Sequence, residues 1–253
     1  RNMAPLAGWQ PNRTPKGETQ ELLFLELNGN YIAEQVLFSV QQWRQDRVGC
    51  VRTIKATFGD HKIVVRSSAL NEDSWATSSA GKYLSVIGVE PASEKIKDAV
   101  EDVISTYDEN HPENQILIQP EIQDVAVSGV MLTRDLETGA PYWVINYDDV
   151  SGRTDTVTSG QENKALRVLK GFETKLRSAR FKKLVEIAQK IEKIMGTDYL
   201  DIEFCFNYDD ELTILQVRPI AAHQNWKSTP DHLIFEQSRN ITMQHEALNI
   251  LPT

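Results

Sequence analysis

Cysteine is scarce in this chain. Cys50 and Cys205 are the two present, and their separation fits neither a zinc-ligand pair nor a disulfide framework. A reduced, cytosolic compartment is therefore expected. The five histidines, His61, His111, His223, His232 and His245, form no triad and no metal spacing. No serine sits in a nucleophile-elbow context, and there is no Walker-type glycine-lysine loop. No apolar run approaches the ~20 residues of a membrane span, and Arg1-Asn2-Met3 does not resemble a signal peptide. Positive charge is also in deficit: 27 basic against 36 acidic residues give a net charge of −9 and a pI near 5.1. That argues against a general binder of nucleic acid or anionic membrane, while leaving room for a local phosphate pocket.

What is present is an ordinary globular composition, 40% hydrophobic and 25% charged over 253 residues, enough for one large domain or two lobes. Residues 1–17 read as loop. Glu18 to Asn28, Ser39 to Phe58, a segment capped by Ser93, and Thr174 to Met195 carry helical patterns, the last stopped by Gly196. Apolar positions of the Ser93 helix are Ile96, Ala99, Val100, Val103, Ile104 and Tyr107. Those of the last helix are Leu184, Ile187, Ala188, Ile191, Ile194 and Met195. Strands are expected at Ile63 to Val65, Lys82 to Val89, Gln115 to Gln119, Val125 to Leu132 and Tyr142 to Asn146. A long loop is expected from Arg66 to Gly81, another from Asp148 to Gly160, and mostly polar surface chain from Pro219 to Gln244. Repeats and low-complexity tracts are absent. Mixed helices, strands and hairpins point to an α+β (or α/β) architecture with two lobes.

Chemistry concentrates near the C-terminal end. Asp201-Ile202-Glu203-Phe204 and Leu215-Gln216-Val217-Arg218-Pro219 flank a polar turn and read as a hairpin. A four-residue loop from Tyr208 to Glu211 pairs Asn207 with Leu212, Glu203 with Gln216, and Asp201 with Arg218. Residues two apart share a face, so two carboxylates, an amide and a guanidinium lie together, while Ile202, Phe204, Leu215 and Val217 face a core. Oxygen ligands beside an arginine suit Mg²⁺ and phosphate. A surface strand pair with an Asp201–Arg218 ion pair is the plainer alternative. Further upstream, Arg66 leaves a buried strand into a Ser/Gly-rich loop, which reads either as a phosphate grip or as solvated chain. Gln119-Pro120-Glu121 ends a strand and offers backbone groups to a purine edge, or merely stops the strand at Pro120. Lys16, just before a helix, has the reach for a phosphate but is equally read as a solvated loop lysine.

Taken in order, Val65-Arg66-Ser67-Ser68-Ala69 with Glu72-Asp73 and Ala80-Gly81, then Ser128-Gly129-Val130 with Thr133 and Thr138-Gly139, then Asp201-Ile202-Glu203 with Leu215-Gln216-Val217-Arg218-Pro219, form a joint pattern. It resembles the ATP-binding domain of the phosphoenolpyruvate synthase and pyruvate phosphate dikinase family, an ATP-grasp fold. The resemblance covers roughly residues 60–220. It implies an N-terminal lobe over 1–110 with a phosphate-contact loop at 66–81, a C-terminal lobe over 111–220 with a metal-site hairpin at 199–219, and an extension over 221–253. It implies ATP and Mg²⁺ as ligands, Arg66 on phosphate, and Glu203 and Gln216 on the metal. Asp201 and Arg218 would support catalysis, Gln119, Pro120 and Glu121 would line the adenine, and Lys16 would make an early phosphate contact. Pro15 stands where the family has a glycine. Tyr147 to Asp155 replaces the family's Gly-Leu-Gly-Glu loop, which resembles a capsule-associated branch that includes L-glutamine kinases. There Arg153 would add a phosphate contact and Asp155 would replace the missing glutamate.

Relatives pass phosphate through a histidine domain to a small-molecule acceptor, pyruvate or a glutamine amide. No Thr-Ser-His carrier motif occurs here, so a phosphohistidine partner is expected elsewhere, and a fragment of a larger enzyme is the expectation. A non-catalytic nucleotide-sensing module is the alternative. Nucleic-acid and membrane partners are not expected.

Overall fold

The computed structural model describes residues 16–70, 84–107, 111–154, 164–220 and 229–248, apart from the side chains of Lys16 and of 241–248. Runs of buried aliphatic residues organise these segments into two antiparallel sheets. The first has the order β1 (Val36–Ser39), β4 (Gln115–Pro120), β2 (Ile63–Ser68), β3 (Ser85–Val89). The second has the order β7 (Lys164–Leu169), β6 (Tyr142–Asp148), β5 (Val125–Leu132), β8 (Leu200–Asn207), β9 (Leu212–Pro219), so β9 is an edge strand. With six helices among the described residues, the class is α+β.

Each sheet buries one face against helices. Helices α2 (Val40–Gln45), α3 (Arg47–Phe58) and α4 (Ser93–Ser105) enclose the first core, in which Trp43, Ile54, Ile63, Val65, Ile96, Val103, Ile116 and Ile118 are buried. Helix α5 (Ala179–Met195) and the short α1 (Lys16–Glu26) enclose the second, with Leu23, Met131, Trp143, Ile187, Ile191, Phe204 and Val217. The stripes read from the sequence are all buried: Ile96 to Ile104 on α4, with Tyr107 just past its end, and Leu184 to Met195 on α5. Ser178 accepts a hydrogen bond from the Phe181 N–H at the start of α5, and Gly196 ends it in the left-handed conformation, φ 66°.

Several expectations shift. The helix expected over Ser39 to Phe58 is two helices, because Asp46 ends α2 and accepts from the Gly49 N–H to start α3. Ser93 lies inside α4; the residue before the helix, Ala92, makes no side-chain cap. Strand β2 continues through Ser68, so Arg66 sits mid-strand rather than at a loop entrance. Strand β4 pairs with both β1 and β2, so the division expected at 110/111 falls inside the first lobe and the real change of sheet lies between Pro120 and Val125. The chain beyond Pro230 is not all surface loop: α6 (Asp231–Leu248) forms there. Its first turn is held by Arg134, whose guanidinium also bonds Asp198 at 2.9 Å and the Gly139 carbonyl at 3.0 Å.

Gly129 lies on β5 opposite Tyr147 of β6. A Cβ there would lie 2.2 Å from the Asn146 carbonyl oxygen and 2.9 Å from the Tyr147 Cα. Both are backbone atoms, which cannot rotate away. Gly129→Ala is therefore expected to destabilise the fold by about 3 kcal/mol or more, read as a lower urea midpoint at unchanged slope.

Candidate functional site

The closing hairpin carries the predicted pairs. Glu203 lies opposite Gln216 and Asp201 opposite Arg218, although the tip is paired differently. Phe206, not Asn207, faces Leu212, and Phe204 faces Ile214. One residue of β9 is therefore extra, and it is Leu215. A bulge of this kind sets two residues of one strand against one of its partner and bends the bulged strand. Ile214 and Val217 remain in the second core with Phe204. Leu215, expected in that core, instead packs with Val125 and Cys205 on the other face, beside Gln216. The bulge thus aligns an apolar side chain and an amide along one wall.

That wall faces the first sheet. Arg66 on β2 reaches across, its Nη1 3.9 Å from the Glu203 Oε2, with both side chains 13% exposed. Asp201 Oδ2 accepts from Arg218 Nε at 2.8 Å and lies 2.7 Å from Nη2. Gln119 is buried and its Nε2 donates to the Leu215 carbonyl at 3.4 Å, linking β4 to the bulge. Gln119, Pro120, Glu121 and Ile122 line a narrow cleft with Arg66, Leu215 and Thr154, enclosing about 20 Å³ of free volume. The amide of Glu121 is already taken by the Lys62 carbonyl at 2.8 Å. Lys16 is the first residue of α1; its side chain lies outside the described residues, but the next amide, of Gly17, donates to Ser68 Oγ at 2.9 Å. That seats the start of α1 two residues along β2 from Arg66. Of the phosphate-contact loop expected at 66–81, residues 71–81 lie outside the described residues, as does Asp155. Ser67 and Ser68 are buried strand residues. The Arg153 carbonyl accepts from Ser128 Oγ.

Two polar atoms are buried without a partner here, Asp201 Oδ1 on this wall and Arg66 Nε on the strand that faces it. Buried polar groups are normally satisfied, so orphans beside carboxylates mark a place for a ligand. Among the described residues no group of three His, Cys, Asp or Glu forms a metal cage. A set of one or two carboxylates and an amide oxygen nevertheless fits Mg²⁺, which takes its remaining ligands from phosphate and water. Burial pushes the Asp201 carboxyl above its ordinary range, with Arg218 opposing and Glu203 adding to the rise. Burial also pushes the Cys205 thiol up to about 12, so it is no nucleophile at neutral pH.

Sequence reasoning missed the bulge, Thr154 and Gln20. Gln20 on α1 is fully buried, and the backbone N–H groups of Val217 and Gln216 assign its amide orientation, with the side-chain oxygen accepting from them at 2.7 Å and 3.3 Å. The signal was there: a glutamine one turn before Leu23 on an apolar helical stripe. A larger cavity of about 690 Å³ lies beyond β7, lined by Leu166, Val168, Phe172 and Phe181 with Arg167 and Arg177. None of the predicted site residues reaches it.

Residues 144–240 match the model of the pyruvate phosphate dikinase AMP/ATP-binding domain. The match runs from β6 into α6 and includes the whole hairpin. No curated protein sequence matches the chain. Among solved structures, the D-alanine-D-alanine ligase from Coxiella burnetii aligns at 13% identity with a TM-score of 0.48, covering 81% of this chain and 47% of that one. The VanG D-Ala:D-Ser ligase from Enterococcus faecalis gives 14%, 0.47, 81% and 52%. The macrocyclase MdnC from Microcystis aeruginosa, solved with precursor peptide MdnA, gives 12%, 0.44, 81% and 52%. The chain spans about half the length of these structures.

The raised Asp201 value has a sign that can be tested. Its folded-state pKa exceeds its unfolded one, so the associated stability is fully present below the unfolded value and is lost as pH rises through the folded value. Asp201→Asn, which still accepts from Arg218, is expected to hold or raise the melting temperature of the ligand-free protein at neutral pH, with the gap to wild type closing at acid pH. A large drop at neutral pH would mean that the ion pair is net stabilising.

Proposed function

We propose that this chain is the Mg-ATP-binding part of a phosphotransferase, with the two sheets serving as the lobes of an ATP-grasp fold. The observation that carries the proposal is that Arg66 reaches from the first sheet to the wall bearing Glu203, Gln216 and Arg218, with Arg66 Nε and Asp201 Oδ1 left unsatisfied there. The similarity to an AMP/ATP-binding domain over residues 144–240 supports it, since the hairpin lies within that span.

Glu203 and the Gln216 amide would hold the ion, with Asp201 fixing Arg218 beside it. Bound Mg²⁺ supplies charge neutralisation on the phosphate oxygens. Arg66 and Arg218 contribute fixed positive charge around the transferring group, in a face shielded from water where such charge acts strongly. Ile122 and Leu215 give the apolar surfaces on which a purine packs, and Glu121 and Gln119 border its edge. Lys16 begins α1, next to the Gly17 amide bonded to Ser68, and would make the early phosphate contact. Phosphate would pass to a histidine on another domain and then to a small acceptor, pyruvate-type or a glutamine amide as in the capsule-associated L-glutamine kinases. A cytoplasmic setting suits that chemistry. No helix among the described residues is long and apolar enough to cross a membrane.

A nucleotide-sensing module without transfer is the second reading. It is favoured by Asp148, whose carboxylate is consumed by its own turn, accepting from the Val150 and Ser151 amides at 2.8 and 3.1 Å. Adding a phosphohistidine-type domain and following label from ATP separates the two: binding without phosphohistidine makes the chain a sensor.

Calorimetry with Mg-ATP is expected to show binding by the wild type. Glu203→Ala should abolish the metal-dependent part with an unchanged circular dichroism spectrum. Absence of heat from a folded wild-type protein would end the nucleotide reading, and unfolding of Glu203→Ala would return the hairpin to a structural ion-pair surface.

A further inference from the structure

We infer that Gln20 is a positioning residue that sets the pose of Gln216 on the metal-facing wall, an inference that rests on the Mg-ATP reading above. In a regular strand, consecutive N–H groups point to opposite sides, so one acceptor cannot serve both. The amide oxygen of Gln20 does serve two consecutive amides, those of Gln216 and Val217, directly after the bulge at Leu215, where the regular alternation of the strand is broken. Strand β9 is an edge among the described residues, with no strand of them beside it to take these donors. Without Gln20 these buried amides would lose an acceptor, at a cost comparable to a lost hydrogen bond.

Gln20 is itself immobilised. Three residues earlier the Gly17 amide is bonded to Ser68 Oγ, and three residues later Leu23 is fully buried in the second core. A side chain held from both ends of its helix fixes the backbone of Gln216, and the backbone fixes where the Gln216 amide points. The arrangement also joins two parts of the site that are distant in sequence: the helix that begins at Lys16 is bonded to the strand that carries Gln216 and Arg218. Outer partners of this kind orient ligands to a metal without touching it.

The experiment uses three proteins: wild type, Gln20→Leu, which keeps the volume and removes the acceptor, and Gln20→Glu, which keeps an oxygen in place. Amide hydrogen exchange is read first and needs no ligand. In the wild type the Gln216 and Val217 amides should exchange as slowly as the amides of β8, and Gln20→Leu should speed these two selectively, with α5 unchanged. Binding of Mn²⁺ in the presence of a non-hydrolysable ATP analogue is read second, by paramagnetic resonance. Gln20→Leu should weaken it by about tenfold while metal-free binding of the analogue changes by less than about twofold, and Gln20→Glu should recover most of the loss. Fast exchange at 216 and 217 in the wild type would overturn the anchoring, and this holds even where Gln20→Leu fails to fold. A lowered melting temperature with unchanged Mn²⁺ affinity would reduce Gln20 to a structural residue and overturn the positioning. A wild type that binds no Mn²⁺-nucleotide while keeping both amides protected would instead defeat the Mg-ATP reading, and with it the metal role of Gln20, leaving the anchor alone standing.

Discussion

Everything at this site depends on how an edge strand is covered. Strand β9 carries Gln216 and Arg218, yet it borders the second sheet with no further strand of the described residues beside it. An uncovered edge invites pairing with another chain. Here the cover comes from the N-terminal part of the protein. The Tyr31 carbonyl accepts from the Ile214 amide at 2.6 Å, Ile32 bridges Ile214 in parallel, and Gln20 takes the next two amides after the bulge. Gln119 adds a donor to the Leu215 carbonyl from the opposite sheet. Three separate segments thus converge on four consecutive residues, Ile214 to Val217, and the wall they hold is the one bearing the carboxylates and arginines.

Two arginines show how structural and functional charge differ in the same molecule. Arg134 is satisfied on every side: it bonds Asp198, Asp231 and the Gly139 carbonyl, and its guanidinium lies over the Tyr199 ring, 5.1 Å from the centroid. It clamps turns and helix ends and has nothing left to offer. Arg66 has a buried Nε without partner and a loose 3.9 Å approach to Glu203. Such a group is costly to hold in the ligand-free protein, as is the Asp201 carboxylate, which burial disfavours. The two costs have opposite charge, and the metal and phosphates of the proposed function, carrying both signs, would relieve both.

The sequence was most legible where local pattern and tertiary role coincide. The α4 and α5 stripes follow a 3.6-residue period and are buried as expected, and the pairing of Glu203 with Gln216 follows from the strand period of two. The pairing survived although its derivation started from the wrong loop, because the bulge at Leu215 compensates the tip. A bulge leaves no compositional mark in Thr213-Ile214-Leu215-Gln216, so the facing of Leu215 was not legible. Strands β1 and β7 were missed for a related reason: Val36-Leu37-Phe38-Ser39 and Lys164 to Leu169 are short and lack clean alternation, and pairing partners far along the chain make them strands. Helix α6 has a weak apolar stripe and is held by Arg134 from another part of the fold, an interaction that no local window contains. Gln20 was visible as an anomaly, a polar residue on an apolar face, but its partners lie almost two hundred residues away.

The seat of α1 also bears on how the chain acquires its structure. Leu23 packs in the second core, although α1 precedes every strand of the first sheet. The last contacts of this helix cannot form until β9 has been made, so a helix synthesised before all nine strands is among the last of these elements to settle. The two sheets are then not independent folding units built in order. Such long-range closure slows folding and keeps apolar surface exposed for longer, and it ties the integrity of the N-terminal helix to completion of the hairpin at the other end.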